Sequence, residues 1–123
     1  TVMRFSILLF VLYRILRRAA RKNRAYGNYI GSIHSVRIMI KTEKGGRGRL
    51  FLFDRGTVTS RRGSGHAYDA AIVWADAGTA FRVMSSRSDE AAFLAAAAGK
   101  MKLDGMAFFA QWFNDGVKIA MPG

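Results

Sequence analysis

Ser64, His66 and Asp69 fall within six positions, and a hydrolytic triad could be drawn from them. Such a triad needs a serine hydroxyl on one imidazole nitrogen and a carboxylate on the other, with the serine raised on a strained strand-to-helix elbow. Three side chains so close along a chain do not readily reach that geometry, and no elbow motif surrounds Ser64. The serines Ser60, Ser85, Ser86 and Ser88 lie where turn or capping chemistry accounts for them. Gly45-Gly46-Arg47-Gly48 and Gly63-Ser64-Gly65 have the spacing of neither a P-loop nor a dinucleotide fingerprint. Cysteine is absent, which removes thiol nucleophiles, disulfides and thiolate metal sites. His34 and His66 stand far apart with no carboxylate cluster beside them, so no histidine metal site is expected. No catalysis, metal or cofactor is expected. What remains is the chemistry of charge and apolar surface.

The charge is uneven. The 123 residues carry 20 Lys and Arg against 8 Asp and Glu, a formal +12, and half of them are hydrophobic. That length holds one core. Residues 1–48 hold 11 of the basic residues and one acid, Glu43, whereas residues 49–123 are close to balanced. A basic arm on an ordinary globular body is the pattern of a protein that meets an anionic surface.

The arm predicts a helix. From Val2 to Leu16 only Arg4, Ser6 and Arg14 are neither apolar nor Tyr. Arg14, Arg17, Arg18, Arg21 and Lys22 follow at spacings that share one helical stripe, with Ile15, Leu16, Ala19 and Ala20 opposite. The apolar run stops short of the roughly 20 residues that span a bilayer. The basic cluster behind it is the wrong flank for a secretory signal. Two readings stand and are compatible in a protein that opens at a membrane. One is an interfacial helix with Phe5, Leu8, Leu9 and Leu12 among acyl chains and Arg14, Arg17, Arg18 and Arg21 at lipid phosphates. The other is a helix packed on its own body or a partner. Nucleic acid is not expected, because the strands lack an exposed aromatic–basic pattern.

Beyond a polar joint at Asn23–Tyr29 the period becomes that of strands. Val36–Ile40, Leu50–Phe53, Thr57–Ser60 and Tyr68–Ala75 are separated by turns at Lys44–Gly48 and Asp54–Gly56 and a loop at Arg61–Gly65. Short links predict a meander of antiparallel strands. Asp76 caps a helix through Met84, Ser88 caps another to Ala98, and Gly99 ends it. Lys100–Asp104 alternates as a fifth strand with Met101 and Leu103 inward, and Met106–Ala120 closes as an aromatic-rich helix. The fold class is α+β: a five-stranded, mostly antiparallel sheet covered on one face by helices, with an extra apolar and basic N-terminal helix.

From Tyr68 onward the residues resemble the sterol carrier protein (type two) family of lipid-binding domains, as a small bacterial-type member. The resemblance rests on Tyr68-Asp69-Ala70-Ala71-Ile72-Val73-Trp74, on the helix from Ala77, on Phe93–Ala98, and above all on Gly99-Lys100-Met101-Lys102-Leu103-Asp104-Gly105 before the last helix. It covers roughly residues 33–120, and the hairpin at Leu50–Thr59 fits it too. The chain departs from the family in its compact link before Asp69 and in its very apolar first helix. The division expected is residues 1–25 as the basic amphipathic helix and 26–123 as the sterol-carrier-like domain.

The resemblance implies a non-catalytic protein that binds or transfers a fatty acyl, sterol or isoprenoid lipid in an apolar tunnel. The apolar side chains Phe81, Met84, Phe93, Leu94, Met101, Leu103, Phe108, Phe109, Trp112 and Phe113, with Ile72 and Trp74 from the fourth strand, are the expected tunnel residues. The alanine run Ala95–Ala98 leaves space beside them. The expected setting is cytoplasmic and peripheral at an anionic membrane. The alternative is an accessory module presenting lipid intermediates, such as quinone precursors, to partner enzymes, with the N-terminal helix binding the partner or a second copy.

Overall fold

The computed structural model describes residues 2–121. In chain order they form α1 (Val2–Lys22), α2 (Arg24–Gly31), β1 (Ser35–Thr42), β2 (Gly48–Asp54), β3 (Thr57–Arg62), β4 (Ala70–Trp74), α3 (Ala77–Ser86), α4 (Asp89–Ala97), β5 (Met101–Gly105) and α5 (Ala107–Ala120). The strands make one mixed, mostly antiparallel sheet in the order β3-β2-β1-β4-β5. The α+β class is as the sequence predicts.

The expected meander stops after β3. Instead of pairing with β3, β4 lies parallel to β1 on its far side, with Ile38 opposite Ala70 and Thr42 opposite Trp74. Composition explains the order. All five residues of β4 except the half-buried Ile72 are buried, so it suits an interior position. Thr57–Arg62 is polar and mostly exposed, which suits an edge. The chain crosses the helix-free face of the sheet between Gly63 and Asp69 to make this connection. There Tyr68 and Leu52 close a small cluster of Met39, Leu50, Ala71 and Val73, and the Lys41 ammonium sits 5.0 Å from the Tyr68 ring centre.

The opposite face carries the main core. Val36, Ile38, Ile40, Phe51, Phe53, Ala70 and Trp74 recur with the strand period and pack against residues of all five helices. Phe5, Leu9, Leu12, Leu16 and Ala19 of α1 belong to that same core. Their spacing of four and three draws one stripe along the helix.

A second difference lies at Asn23–Tyr29, where Asn23 is the cap and Arg24 onward is helix instead of a joint. The Asn23 side chain accepts from Tyr26 N at 3.1 Å and donates to Ile119 O at 3.2 Å, capping α2 and tying it to the end of α5. Tyr26 and Ile30, one turn apart, are both buried. In sequence, Gly27 and Asn28 mask that pair. The other helix ends follow their local chemistry. Asp76 Oδ1 accepts from Thr79 N at 2.7 Å, and Ser88 Oγ accepts from Ala91 N at 3.1 Å. At the end of α4, Gly99 adopts φ 74°, and the amides of Gly99 and Lys100 donate back to Ala96 O and Ala95 O. This six-to-one and five-to-two pair is a Schellman ending, and a left-handed residue is required at Gly99.

Candidate functional site

A cavity of about 450 Å³ lies between α1, the helix-covered face of the sheet, α3 and α5. Its volume is within the range of small-molecule sites. Leu8, Val11, Leu12 and Ile15 of α1 form one wall, and Ile40, Ile72 and Trp74 come from the sheet. Val83 and Met84 of α3, Ala92 of α4, Phe113 and Val117 of α5, and Met121 just beyond it complete the apolar lining. The polar members, Ser85, Arg87, Ser88, Asp89, Asn114 and Lys118, are all exposed and gather where the α3–α4 turn meets α5.

That rim is braced. Lys118 Nζ donates to Asp89 Oδ2 at 2.7 Å, and this bond raises the lysine's pKa. Arg87 stands in the left-handed region at φ 56° and its guanidinium donates to Met121 O, lashing the α3–α4 turn to the end of α5. Among the described residues two buried indole nitrogens, Nε1 of Trp74 in this lining and Nε1 of Trp112 outside it, have no hydrogen-bond partner.

The structure divides the expected tunnel residues into three groups. Ile72, Trp74, Met84 and Phe113 line the cavity. Phe81, Met101 and Phe109 are half-buried outside its lining, and Trp112 is buried in an aromatic cluster. There Trp112 stacks on Tyr29 at 5.6 Å and meets Phe53 edge-on at 5.1 Å, while Tyr29 Oη donates to Trp112 O at 2.7 Å. Phe93, Leu94, Leu103 and Phe108 are exposed, as is Met106. Leu103 does fall on the helix side of the sheet, but β5 is an edge strand and helix coverage thins there.

The expected docking residues divide as well. Phe5, Leu9 and Leu12 point inward, and Leu8 borders the cavity. The exposed apolar residues of α1 are Val2, Met3, Ile7, Phe10 and Val11. They lead along the outer face into Arg14, Arg17, Arg18 and Arg21, all exposed. A continuous apolar run gives no phase, so sequence could not choose which turns of Val2–Tyr13 face out.

Three more arginines flank the outer face. Arg47, Arg49 and Arg62, from the β1–β2 turn, β2 and β3, border a surface groove with Met3, Ile7 and Phe10. Arg49 donates to Ser60 Oγ at 2.8 Å, and its guanidinium carbon lies 5.4 Å from the Phe10 ring centre. Burial, then the nearby Arg62 charge, lowers the Arg49 pKa. Among the described residues, none of these seven arginines is in an ion pair. Arg47, Arg49 and Arg62 were missed because strand pairing, not helical period, brings them to α1. On the other flank, Val11 and Ile15 border both the arginine groove and the cavity.

The residues of the conceivable triad are bound elsewhere. Ser64 Oγ donates to Gly46 O at 2.9 Å, His66 Nε2 lies 2.9 Å from Arg62 O, and Asp69 Oδ2 accepts from Arg37 N at 2.7 Å. No helix among the described residues is long and apolar enough to cross a membrane.

No protein-family model and no curated protein matches the sequence. Solved structures do match the fold. The UbiJ-SCP2 ubiquinone synthesis protein superposes with a TM-score of 0.67 at 12% identity, over 94% of each chain. A sterol carrier protein 2 crystal structure gives 0.58 at 19% identity, over 91% of this chain and 95% of that one. The apo sterol carrier protein 2 of Yarrowia lipolytica gives 0.58 at 15%, over 92% and 91%. With near-complete coverage of both partners and the same element order the resemblance implied, this chain has the sterol carrier protein 2 fold.

Proposed function

We propose that the chain is a non-catalytic lipid-binding and lipid-transfer protein that takes its ligand into the cavity beneath α1 while docked on an anionic membrane. The observation that carries this reading is the double use of α1. Its Val11 and Ile15 border the cavity on one side and the arginine groove on the other. A chain leaving the acyl region beside Ile7, Phe10 and Val11 would meet the cavity wall within the same helical turns. Charge supports the partner. Arg14, Arg17, Arg18 and Arg21 at one end and Arg47, Arg49 and Arg62 at the other surround an apolar centre, and each arginine near an anionic leaflet contributes about 1 kcal/mol. The names of the similar structures, sterol carriers among them, agree with a lipid ligand.

Native mass spectrometry of the purified chain, followed by denaturation and lipid extraction, tests the cavity. A stoichiometric co-purified lipid is the expected result. A clean apo mass with no uptake of a fluorescent fatty acid overturns the reading. Co-sedimentation with phosphatidylcholine vesicles, with and without phosphatidylglycerol, tests the docking. Binding that needs the anionic lipid is expected, and Arg17→Glu with Arg21→Glu should weaken it by at least about thirtyfold, the loss of two arginines before the repulsion of two added carboxylates. Unchanged binding by that variant overturns the docking.

A second reading has its own observation. Phe93, Leu94, Leu103, Met106 and Phe108 are exposed around α4, the edge strand β5 and the start of α5. A cluster of large exposed apolar side chains marks a partner site. An accessory module presenting lipid intermediates to an enzyme would use it, as the ubiquinone synthesis role of the UbiJ-SCP2 protein suggests. Light scattering of Phe93→Ser with Phe108→Ser against the parent chain tests whether this surface holds an assembly. Loss of an oligomer with vesicle binding intact favours the module.

A further inference from the structure

The sheet ends in two edge strands, and they differ. α1 packs along β3, whose charged residues, Arg61 and Arg62, are both positive. β5 is exposed from Lys102 to Gly105, and neither a proline nor a bulge interrupts it, devices that commonly blunt an edge. Its backbone phase follows from the ends of its ladder. Met106 N donates to Asp69 O at 2.9 Å, and Lys100 O accepts from Ala75 N at 2.8 Å. Such bonded positions alternate in an antiparallel pair, so Lys102 and Asp104 turn their amides and carbonyls toward β4. Met101, Leu103 and Gly105 turn theirs outward. The side chains alternate as well. Leu103, opposite Ile72, lies on the helix-covered side, whereas Lys102 and Asp104, opposite Val73 and Ala71, lie on the other.

We propose that β5 pairs antiparallel with β5 of a second copy of this chain, with Leu103 opposite Leu103 on a two-fold axis. In this register backbone phase and charge agree. Leu103 meets Leu103 and Met101 meets Gly105, so each residue with outward backbone groups faces another of its kind. A slip of one residue sets outward groups against inward ones. The same register places Lys102 of each copy opposite Asp104 of the other, two close pairs of opposite charge on one face. The next in-phase registers, two residues either way, set Lys102 against Lys102 or Asp104 against Asp104. Both side chains already stand on that face: Lys102 is held by Glu43 at 2.7 Å, and Asp104 accepts from the Tyr68 hydroxyl. The axis runs perpendicular to the sheet, so the helix layers of both copies fall on one side of a continuous sheet. The exposed Phe93, Leu94 and Phe108 belong to the elements that precede and follow β5 on that side. The pairing deepens the reading of this apolar surface as a protein site by naming its occupant, and it is independent of the lipid cavity.

Sedimentation equilibrium of the full chain over a concentration series tests it, and a concentration-dependent dimer is expected. Lys102→Glu should weaken the dimer at least about tenfold, because it opposes like charges twice. Lys102→Glu with Asp104→Lys should restore it, since the exchange keeps opposite charges facing across the axis. A merely local role of Lys102 would give no such rescue. The chain has no cysteine, so Leu103→Cys supplies one thiol per copy, at a Cα separation of about 5.5 Å in this register, within reach of a disulfide. Mild oxidation with diamide should link the copies, and Thr59→Cys on the β3 edge should stay unlinked. This readout leaves both charges in place and keeps the test decisive even where a charge variant folds poorly. A chain that stays monomeric at every concentration overturns the proposal. So does a dimer that Lys102→Glu leaves intact, which would put the contact on another surface. Uptake of a fluorescent fatty acid by the monomeric Lys102→Glu variant should match the parent, so loss of the dimer and failure of the cavity reading are told apart.

Discussion

The inner and outer faces of α1 are built from the same residue types and do opposite things. Inward, Phe5, Leu9 and Leu16 are at most 1% exposed and pack against the sheet's aromatic face. Outward, Met3, Ile7 and Phe10 are 73%, 55% and 45% exposed. A helix that only covered a core would have a polar outer face along its whole length. Here the outer face is apolar for its first turns and arginine-rich for its last, and three arginines from the sheet approach the apolar end. The inner face makes the fold, and the outer face leaves Met3, Ile7 and Phe10 exposed beside those arginines.

The contrast is broken most strongly from inside. Phe5→Ala should cost about 3–5 kcal/mol and Leu16→Ala about 2–5 kcal/mol, because each empties a fully buried site. Ile7→Ser should change stability by less than about 0.5 kcal/mol. Urea denaturation separates them, and an equal cost at positions 5 and 7 would mean the outer face is covered in the isolated chain. Vesicle binding should show the reverse order. Ile7→Ser with Phe10→Ser should lose at least tenfold toward phosphatidylglycerol vesicles while the denaturation midpoint holds. Wild-type vesicle affinity should also fall steadily with added salt.

A smaller effect sharpens the comparison at the α3 wall of the cavity. The backbone hydrogen bond from Thr79, chiefly, holds the Asp76 carboxyl below its ordinary value of 3.8. A lowered folded pKa means that the ionised cap's contribution is fully present above the unfolded value and is lost as pH falls through the folded one. Asp76→Ala should therefore cost about 1 kcal/mol at neutral pH. Asp76→Asn should keep most of the cap and flatten the acid limb of stability below about pH 4. A parental acid limb in Asp76→Asn would show that other carboxylates govern it. The smallest effect belongs to the rim: Lys118→Ala, in an exposed pair with Asp89, should leave the denaturation midpoint where it is.

Much of this molecule is legible without its coordinates. Hydrophobic period, turn glycines and caps at Asp76, Ser88 and Gly99 are local signals, and local physics placed the strands and the later helices close to where they stand. The asymmetry of charge is likewise a property of the chain alone. The motif from Gly99 to Gly105 indicated the fold because its turns and short strand demand particular residues in order. What sequence could not set was phase and partnership. An unbroken apolar run from Ile7 to Tyr13 says that a helix buries something, but not which turns. Pairing energy does not depend on sequence order, so β4 went beside β1 because its residues needed burial on both faces. That choice set Trp74 into a cavity wall and sent Trp112 to the aromatic core, a division that composition, which sees only two tryptophans, has no means to make. The convergence of Arg47, Arg49 and Arg62 on Phe10 has the same origin. The strand register brings together charges that lie far apart along the chain, and only the folded sheet holds them at one surface.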